Sequence, residues 1–440
     1  MHYICCPAGS VPKSRKPGVE YISLYESAGF SDFDVGNVAL SLKREVRRSG
    51  INASVEAWDF CSIAMAVAAV DKSVPRAKSA DGWTRMLNVE IQLYEPLIWQ
   101  SQIPLLEKTL RFLTGDFWTI TLTDGGDKPP SSSKNKNVAN VDCVSLLSGG
   151  VDSLVGAIDL CHSGKKPILV SKLVRGDKAF QAEVANRLVT ENCHIQWSFN
   201  SRSVSGRENS TRGRSLIFFA YAALVASSIF LQRKGKEVIP IYVPENGFIS
   251  LNLPLTPLRM GTLSTKTTHP VYLSGLQEIW NAVGIRAVLT SPFEYRFQTK
   301  GEMLEGCLNK DLLHELIGRS TSCGRYGRYN RKHCGRCVPC LVRRGAFQKA
   351  KFQDSTEVST YRDITGQYVF PDLALAAKEE NGNDIRAVGR ACLQVAEYGI
   401  ERFIGGGLSF TSPDERVKYV GVVERGIKEL RVLLKKHRVL

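Results

Sequence analysis

Ser148-Gly149-Gly150-Val151-Asp152-Ser153 is the stretch of this 440-residue chain whose residue types and spacing point most directly to chemistry. It follows an apolar run, Val141 to Leu147, and precedes Leu154, Val155, Ile158 and Cys161 at helical spacing. A strand that breaks into a Gly-Gly turn and opens a helix presents unpaired N–H groups and the positive end of a helix to an anion. Ser148 and Ser153 add hydroxyls, and Asp152 adds a carboxylate. The stretch therefore predicts a phosphate-binding loop. It is not a Walker A loop, because no Lys-Ser/Thr pair follows the glycines. An ordinary tight turn accounts for two glycines but not for the whole hexapeptide between a strand and a helix.

Cysteine supplies the second signal. Cys323 is followed after ten residues by Cys334-Gly-Arg-Cys337-Val-Pro-Cys340. Four thiolates can close a tetrahedral zinc shell, with Cys334 and Cys337 chelating from one tight turn and Cys323 returning across a loop made pliable by Gly324, Gly327 and Asn330. The spacing predicts a structural Zn2+ site. An iron–sulfur cluster or a redox pair fits it less completely. The other eight of the 12 cysteines are expected as buried apolar residues.

Elements that would position these groups follow from the hydrophobic pattern. Strands are predicted at Pro167 to Leu173, His194 to Phe199, Val238 to Val243 and Ile285 to Leu289. Helices are predicted at Phe180 to Leu188, Ser215 to Leu231 and Val271 to Val283, the second so apolar all round that it must be internal. This alternation predicts an α/β, doubly wound parallel sheet. Ligands bind such sheets at the carboxyl ends of strands, which makes Arg175-Gly176-Asp177, Glu245-Asn246-Gly247 and Ser291-Pro292-Phe293 further site candidates. Residues 1–123 read as an α+β domain, with a helix at Val38 to Val46, a strand at Arg85 to Tyr94, a helix at Leu105 to Leu113 and a strand at Phe117 to Leu122. A hydrophilic linker, 124–140, separates it from a nucleotide domain at 141–320. A cysteine module at 321–350 and a helical region at 351–440 complete the chain. In the last, Val417, Val420, Val423, Ile427, Leu430 and Leu434 form one stripe.

Composition narrows the function classes. With 43% hydrophobic and 23% charged residues, the chain reads as globular. No apolar run of about 18 residues is apparent, and the N-terminus lacks the basic region and apolar core of a signal peptide. The expected location is cytoplasmic, where clustered thiols bind metal rather than form disulfides. Net charge is +15, and Arg319 to Lys351 holds ten Lys and Arg with no Asp or Glu. That stretch fits nucleic acid, a nucleotide, an acidic protein or simply a solvated face. His269, in a loop, is a weak candidate for touching substrate. Cys193 and Cys307 are the thiols outside the metal set that a sulfur-transfer reaction would need.

The hexapeptide matches the SGGxDS loop of ATP pyrophosphatases. Together with Gly213-Arg214-Ser215, Thr299-Lys300-Gly301-Glu302 and the Cys-x10-CxxCxxC knuckle, it resembles the 7-cyano-7-deazaguanine synthase (QueC-like) family over residues 141 to about 348. The resemblance implies that residues 148–153 bind ATP with Mg2+, that Asp152, Ser153, Arg214 and Lys300 serve adenylation of a 7-carboxy-7-deazaguanine carboxylate to an amide or nitrile, and that the zinc is structural. Three departures stand out: Ser215 replaces the usual Asn, Arg175-Gly176-Asp177 differs, and the segment from Leu253 to Pro270 is unfamiliar. The long flanks are similar to the enlarged forms in bacterial antiphage operons, the QatC type. That likeness implies a protein partner from the same operon and a partner or substrate platform in the N-terminal domain. A PP-loop enzyme acting on tRNA or DNA and a non-catalytic nucleotide sensor are the alternative readings.

Overall fold

The computed structural model describes residues 2–29, 34–138, 140–173, 176–234, 236–253, 255, 266–353, 361–362, 368–369 and 372–440. Arg175 and most of the unfamiliar segment, 254 and 256–265, lie outside them.

Two sheets carry the fold. The second in chain order holds β6 (Cys143–Leu146), β7 (Pro167–Leu173), β8 (His194–Ser198), β10 (Ile239–Tyr242) and β11 (Ala287–Thr290) in the order β11-β10-β6-β7-β8, every pair parallel. Its strand order reverses between β6 and β10, and in an open parallel sheet this is where a crevice forms outside the carboxyl ends. Both faces are covered. Ile168 and Val170 point into one core and Leu169 into another, as the two-residue period of a strand requires. The expected α/β parallel sheet is present, and each of the four strands predicted after the loop lies within two residues of its expected place.

The first sheet corrects an expectation. It contains β1 (His2–Pro7), β2 (Val19–Leu24), β3 (Gly36–Val38), β4 (Met86–Leu93) and β5 (Phe117–Asp124), ordered β5-β4-β1-β2-β3 and closed at one edge by the antiparallel β9 (Ser201–Arg202). β1 to β5 pair in parallel throughout, so the N-terminal region is α/β rather than α+β. The helix expected from Val38 is divided there: Gly36 to Val38 pairs as a strand, and α1 begins at Leu42 (Leu42–Arg48).

Between the sheets lie α2 (Val55–Ser73) and, after α3 (Ile103–Thr114), α4 (Val151–His162) and α5 (Lys178–Leu188), the apolar α6 (Leu216–Gln232). α2 and α6 pack on each other, and each also packs on its own sheet, within one continuous hydrophobic core. The stretch Gly213–Gln232 is long and apolar enough to cross a membrane, but 78% of its most apolar window is buried between the sheets. Residues 124–138 run along this unit and are tied to it. Asn52 Oδ1 accepts from Ser132 N at 2.7 Å, and Lys136 N donates to Gly50 O at 2.9 Å.

The remaining helices form the outer wall: α7 (Gly247–Ser250), α8 (Pro270–Val283), α9 (Lys300–Gly306), α10 (Lys310–Ile317), α11 (Val338–Lys349), α12 (Leu373–Lys378), α13 (Asn383–Tyr398), α14 (Ile400–Ile404) and α15 (Pro413–Lys436). α15 buries Tyr419, Val422, Val423, Ile427, Leu430, Leu433 and Leu434 against α7, α11 and α13, whereas Val417, expected in the stripe, is exposed.

Candidate functional site

The hexapeptide bridges β6 and α4. Gly149 has φ +91°, a conformation that side-chain-bearing residues rarely adopt, and Gly150 caps α4. Ser153 Oγ accepts from Ser148 N at 3.2 Å and donates to Gly150 O at 3.0 Å, closing the loop on itself. From outside, Thr321 N donates to Gly149 O at 2.9 Å and Gln181 Nε2 to Ser148 O at 3.0 Å. The loop is thereby fixed with the N-terminus of α4 facing a cavity of about 200 Å3, which Asp152, Ser153, Glu245 and Lys300 also line.

Asp152 and Lys300 meet at this cavity. Lys300 Nζ donates to Asp152 Oδ1, and both side chains are almost wholly buried. Asp152 Oδ2 accepts from Asn246 Nδ2 at 2.7 Å and Asn246 N at 3.3 Å. Asn246 follows β10 and Asp152 follows β6, so this contact spans the point at which the strand order reverses. Burial opposes charge on Asp152, but the Lys300 ammonium and hydrogen bonds from Glu245, Lys300 and Asn246 outweigh it and hold the carboxyl below its ordinary range. Glu245 behaves oppositely. Burial, then the charge of Asp152 beside it, pushes its carboxyl well above the ordinary range.

Lys300 is placed by a chain of contacts that starts far away in sequence. Thr299 caps α9 in a capping box with Glu302, and the Thr299 hydroxyl also donates to Glu429 on α15. Lys349 on α11 lies 3.3 Å from the same carboxylate. The C-terminal helix is thus linked to the residue that pairs with Asp152.

Arg214 is exposed and does not line that cavity. Its turn is held by the N-terminal region, since Asp71 Oδ2 on α2 accepts from Arg212 N at 2.6 Å and Gly213 N at 2.7 Å. Sequence reasoning missed Lys172, at the end of β7, whose ammonium lies 5.0 Å from the Phe218 ring centre.

Cys323, Cys334, Cys337 and Cys340 bring their sulfurs within 4.8 Å of one another, all buried, and could hold a metal ion such as zinc. The donor set fits. With Zn–S bonds of about 2.3 Å, a tetrahedron has S···S edges of about 3.8 Å. Cys323 and Cys337 are separated by 3.8 Å, and Cys334 and Cys340 by 4.0 Å. Arg325 N and Cys334 N each donate to Cys323 Sγ at 3.4 Å, as Cys337 N does to Cys334 Sγ; such bonds favour thiolates. His333 stays outside this set, its Nε2 accepting from Ser322 N at 2.9 Å. Arg343 Nη1, fully buried, donates to Ser320 O at 3.0 Å. The cysteine cluster and Arg343 thereby fix the segment whose Thr321 pins the phosphate-loop candidate.

Much of the basic stretch is engaged within the chain. Arg325 pairs with Asp384 at 3.0 Å and Arg336 with Glu379 at 2.6 Å, while Lys349 meets Glu302, Glu305 and Glu429. Cys307 is buried, and burial pushes its thiol up to about 12, the wrong direction for a nucleophile. His269 caps α8 by accepting from Val271 N at 3.2 Å and packs between Phe112 and Phe410; this is a structural role.

A larger cleft of about 1130 Å3 opens on the far side of Glu245, between α3, α8 and α15. Lys108, Arg111, Glu278, Ser291, Arg296 and Tyr419 face it. Glu245 borders both cavities, which explains why it is surrounded by protein yet keeps some exposed surface. The strand-end rule had singled out Glu245 and Ser291, but contributions from α3 and α15 left no local pattern to read. Comparison with protein-family models, curated proteins and solved structures returned no match.

Proposed function

We propose that this chain is a cytoplasmic ATP-dependent ligase or synthase of the PP-loop pyrophosphatase type, QueC-like and of the enlarged antiphage form. In this reading it adenylates a 7-deazaguanine carboxylate and releases pyrophosphate. The observation that carries the reading is the juxtaposition at the strand-order reversal: an SGGVDS loop opening a helix toward a cavity, with Lys300 and Asp152 paired at its wall. Adenylation needs no protein nucleophile. It needs phosphates seated on N–H groups and cations placed where negative charge builds on the α-phosphate. Residues 148–153 would seat the phosphates, and Lys300, freed from Asp152 by the incoming nucleotide, would neutralise them. Mg2+ would supply Lewis acidity on the phosphate oxygens. The four cysteines would hold a structural Zn2+ that keeps Thr321 against the loop.

The cleft beyond Glu245 supports an acceptor larger than ammonia. Its walls come from α3 and α15, which lie in the two long flanks, and it reaches the nucleotide cavity through one side chain. A protein amine entering there would attack the adenylate carbonyl, form an amide and release AMP.

The test is ATP turnover with Mg2+ and 7-carboxy-7-deazaguanine, followed by intact-mass analysis of the partner proteins co-expressed with the chain. AMP and pyrophosphate are expected, with an added mass on a partner. ADP as product excludes adenylation. Free nitrile base with unmodified partners reduces the chain to an elaborated synthase, and nucleotide binding without turnover favours a sensor.

A further inference from the structure

Lys172, at the end of β7, is a nearly buried lysine. Its residue is 7% exposed. Among the described residues its ammonium makes no hydrogen bond and no carboxylate lies within ion-pair distance. Its neighbours explain why this is costly. The Phe218 ring lies 5.0 Å from Nζ, and Arg214 stands one helical turn before Phe218, on the same face, adding a second positive charge. Asp177 is near enough to be felt, but its carboxylate is engaged by the Thr321 hydroxyl at 3.1 Å. Burial first, then the Arg214 charge, brings the Lys172 ammonium down to about 7, against the weaker pull of Asp177.

A lysine held this deep without a paired carboxylate among the described residues adds nothing to the stability of the fold, and an incoming anion would complete it. The location is apt. Lys172 is the penultimate residue of β7, at the carboxyl end where this sheet class binds ligands. It sits beside the phosphate-loop candidate, because the Gln181 side chain that donates to Ser148 O also lies 3.4 Å from Lys172 O. The Arg214 charge is near enough to be felt at Lys172, and its turn is held by α2 through Asp71.

We propose that Lys172, with Arg214, forms an oxyanion-binding site at the end of β7 that takes a carboxylate or phosphate group of a ligand of this enzyme. The existence of the site is independent of the activity proposed above; naming the anion as the carboxylate to be adenylated, or as a nucleotide phosphate, rests on that reading.

The experiment compares wild type with Lys172→Met, which keeps the side chain's length, and Arg214→Ala, which lies on the surface and carries little folding risk. A non-hydrolysable ATP analogue and 7-carboxy-7-deazaguanine are each titrated by calorimetry, and melting temperatures are recorded. Lys172→Met is expected to melt higher while binding one of the two ligands at least about tenfold more weakly, the loss expected for one charged hydrogen bond. Arg214→Ala is expected to weaken the same ligand about threefold. Weakening of the nucleotide alone assigns a phosphate, and weakening of the heterocycle alone assigns the carboxylate. If both variants bind both ligands within about twofold of wild type, the site does not exist, whatever the wild type does with ATP. If wild type forms no AMP while Lys172→Met still loses nucleotide affinity, the proposed activity fails and the site stands. If Lys172→Met does not fold, the Arg214→Ala titrations decide alone.

Discussion

Lys300, on α9, and Asp152, on α4, lie 148 positions apart in sequence and share one buried hydrogen-bonded ion pair. Such a pair is weak evidence for stability, since desolvation consumes most of the attraction, yet breaking it from one side leaves an uncompensated charge. Asp152→Ala should therefore cost about 3 kcal/mol of stability and reduce AMP formation by more than about 100-fold. Lys300→Met should reduce AMP formation by a similar factor, and the double variant should be more stable than Asp152→Ala. Denaturant titration and pyrophosphate release measure the two effects. A double variant no more stable than the single one would show that the pair is not coupled.

The cysteine cluster should carry one zinc per chain. Cys337→Ser leaves three sulfurs around a site built for four, and metal affinity in such a module is folding energy. Elemental analysis should find close to one zinc in wild type and far less in the variant, with the melting temperature lowered in step. Because Thr321 reaches Gly149 from the segment that the cluster fixes, nucleotide affinity should fall as well. Metal-free protein of unchanged stability, or a brown protein containing iron, contradicts the zinc assignment.

Two buried histidines should make the fold less stable in mild acid. Burial, then Lys266, brings His269 down to about 4, and burial, then Lys136, does the same for His194. Both pKa values lie below the unfolded value of about 6.5. The unfolded chain therefore binds more protons between these limits, so stability is fully present above about pH 6.5 and is lost as pH falls toward 4. Each histidine should contribute roughly 2 kcal/mol of this loss. His269→Asn, which can still accept the bond from Val271 N, should flatten its share in melts recorded between pH 7 and pH 4.5.

The strand–turn–helix of residues 148–153, the parallel sheet behind it and the four cysteines were legible because each is encoded locally. A glycine pair, an apolar run or a two-residue spacing fits within one window. What was missed is non-local. β1 and β2 are short and alternate poorly, and α2 carries apolar residues on every side, so it offers no period to detect; only its burial between two sheets explains it. Lys172 looked like any strand-end lysine, because its burial and its lack of a paired carboxylate among the described residues depend on α5 and α6. Arg214 was singled out only through a family resemblance, and its turn is held by Asp71, a residue on an N-terminal helix that the sequence pattern did not reveal.

Glu429 shows how the C-terminal helix acts at a distance. Burial raises its carboxyl above the ordinary range, against the pull of its Thr299 and Lys349 contacts, while Gly301 and Gly345 allow α9 and α11 to approach it closely. Glu429→Ala removes the acceptor of the Thr299 hydroxyl and leaves Lys349 with the more exposed Glu302 and Glu305. Lys300 should then be less firmly placed. Stability should fall by about 1–2 kcal/mol, and AMP formation by about tenfold, with the apparent affinity for ATP little changed. Glu429→Gln retains an acceptor for Thr299 and should recover most of the rate. The split decides between two roles: a helix that merely covers the core would lose stability in both variants without a selective fall in kcat, whereas a helix that positions Lys300 gives rate loss in Glu429→Ala and rescue in Glu429→Gln.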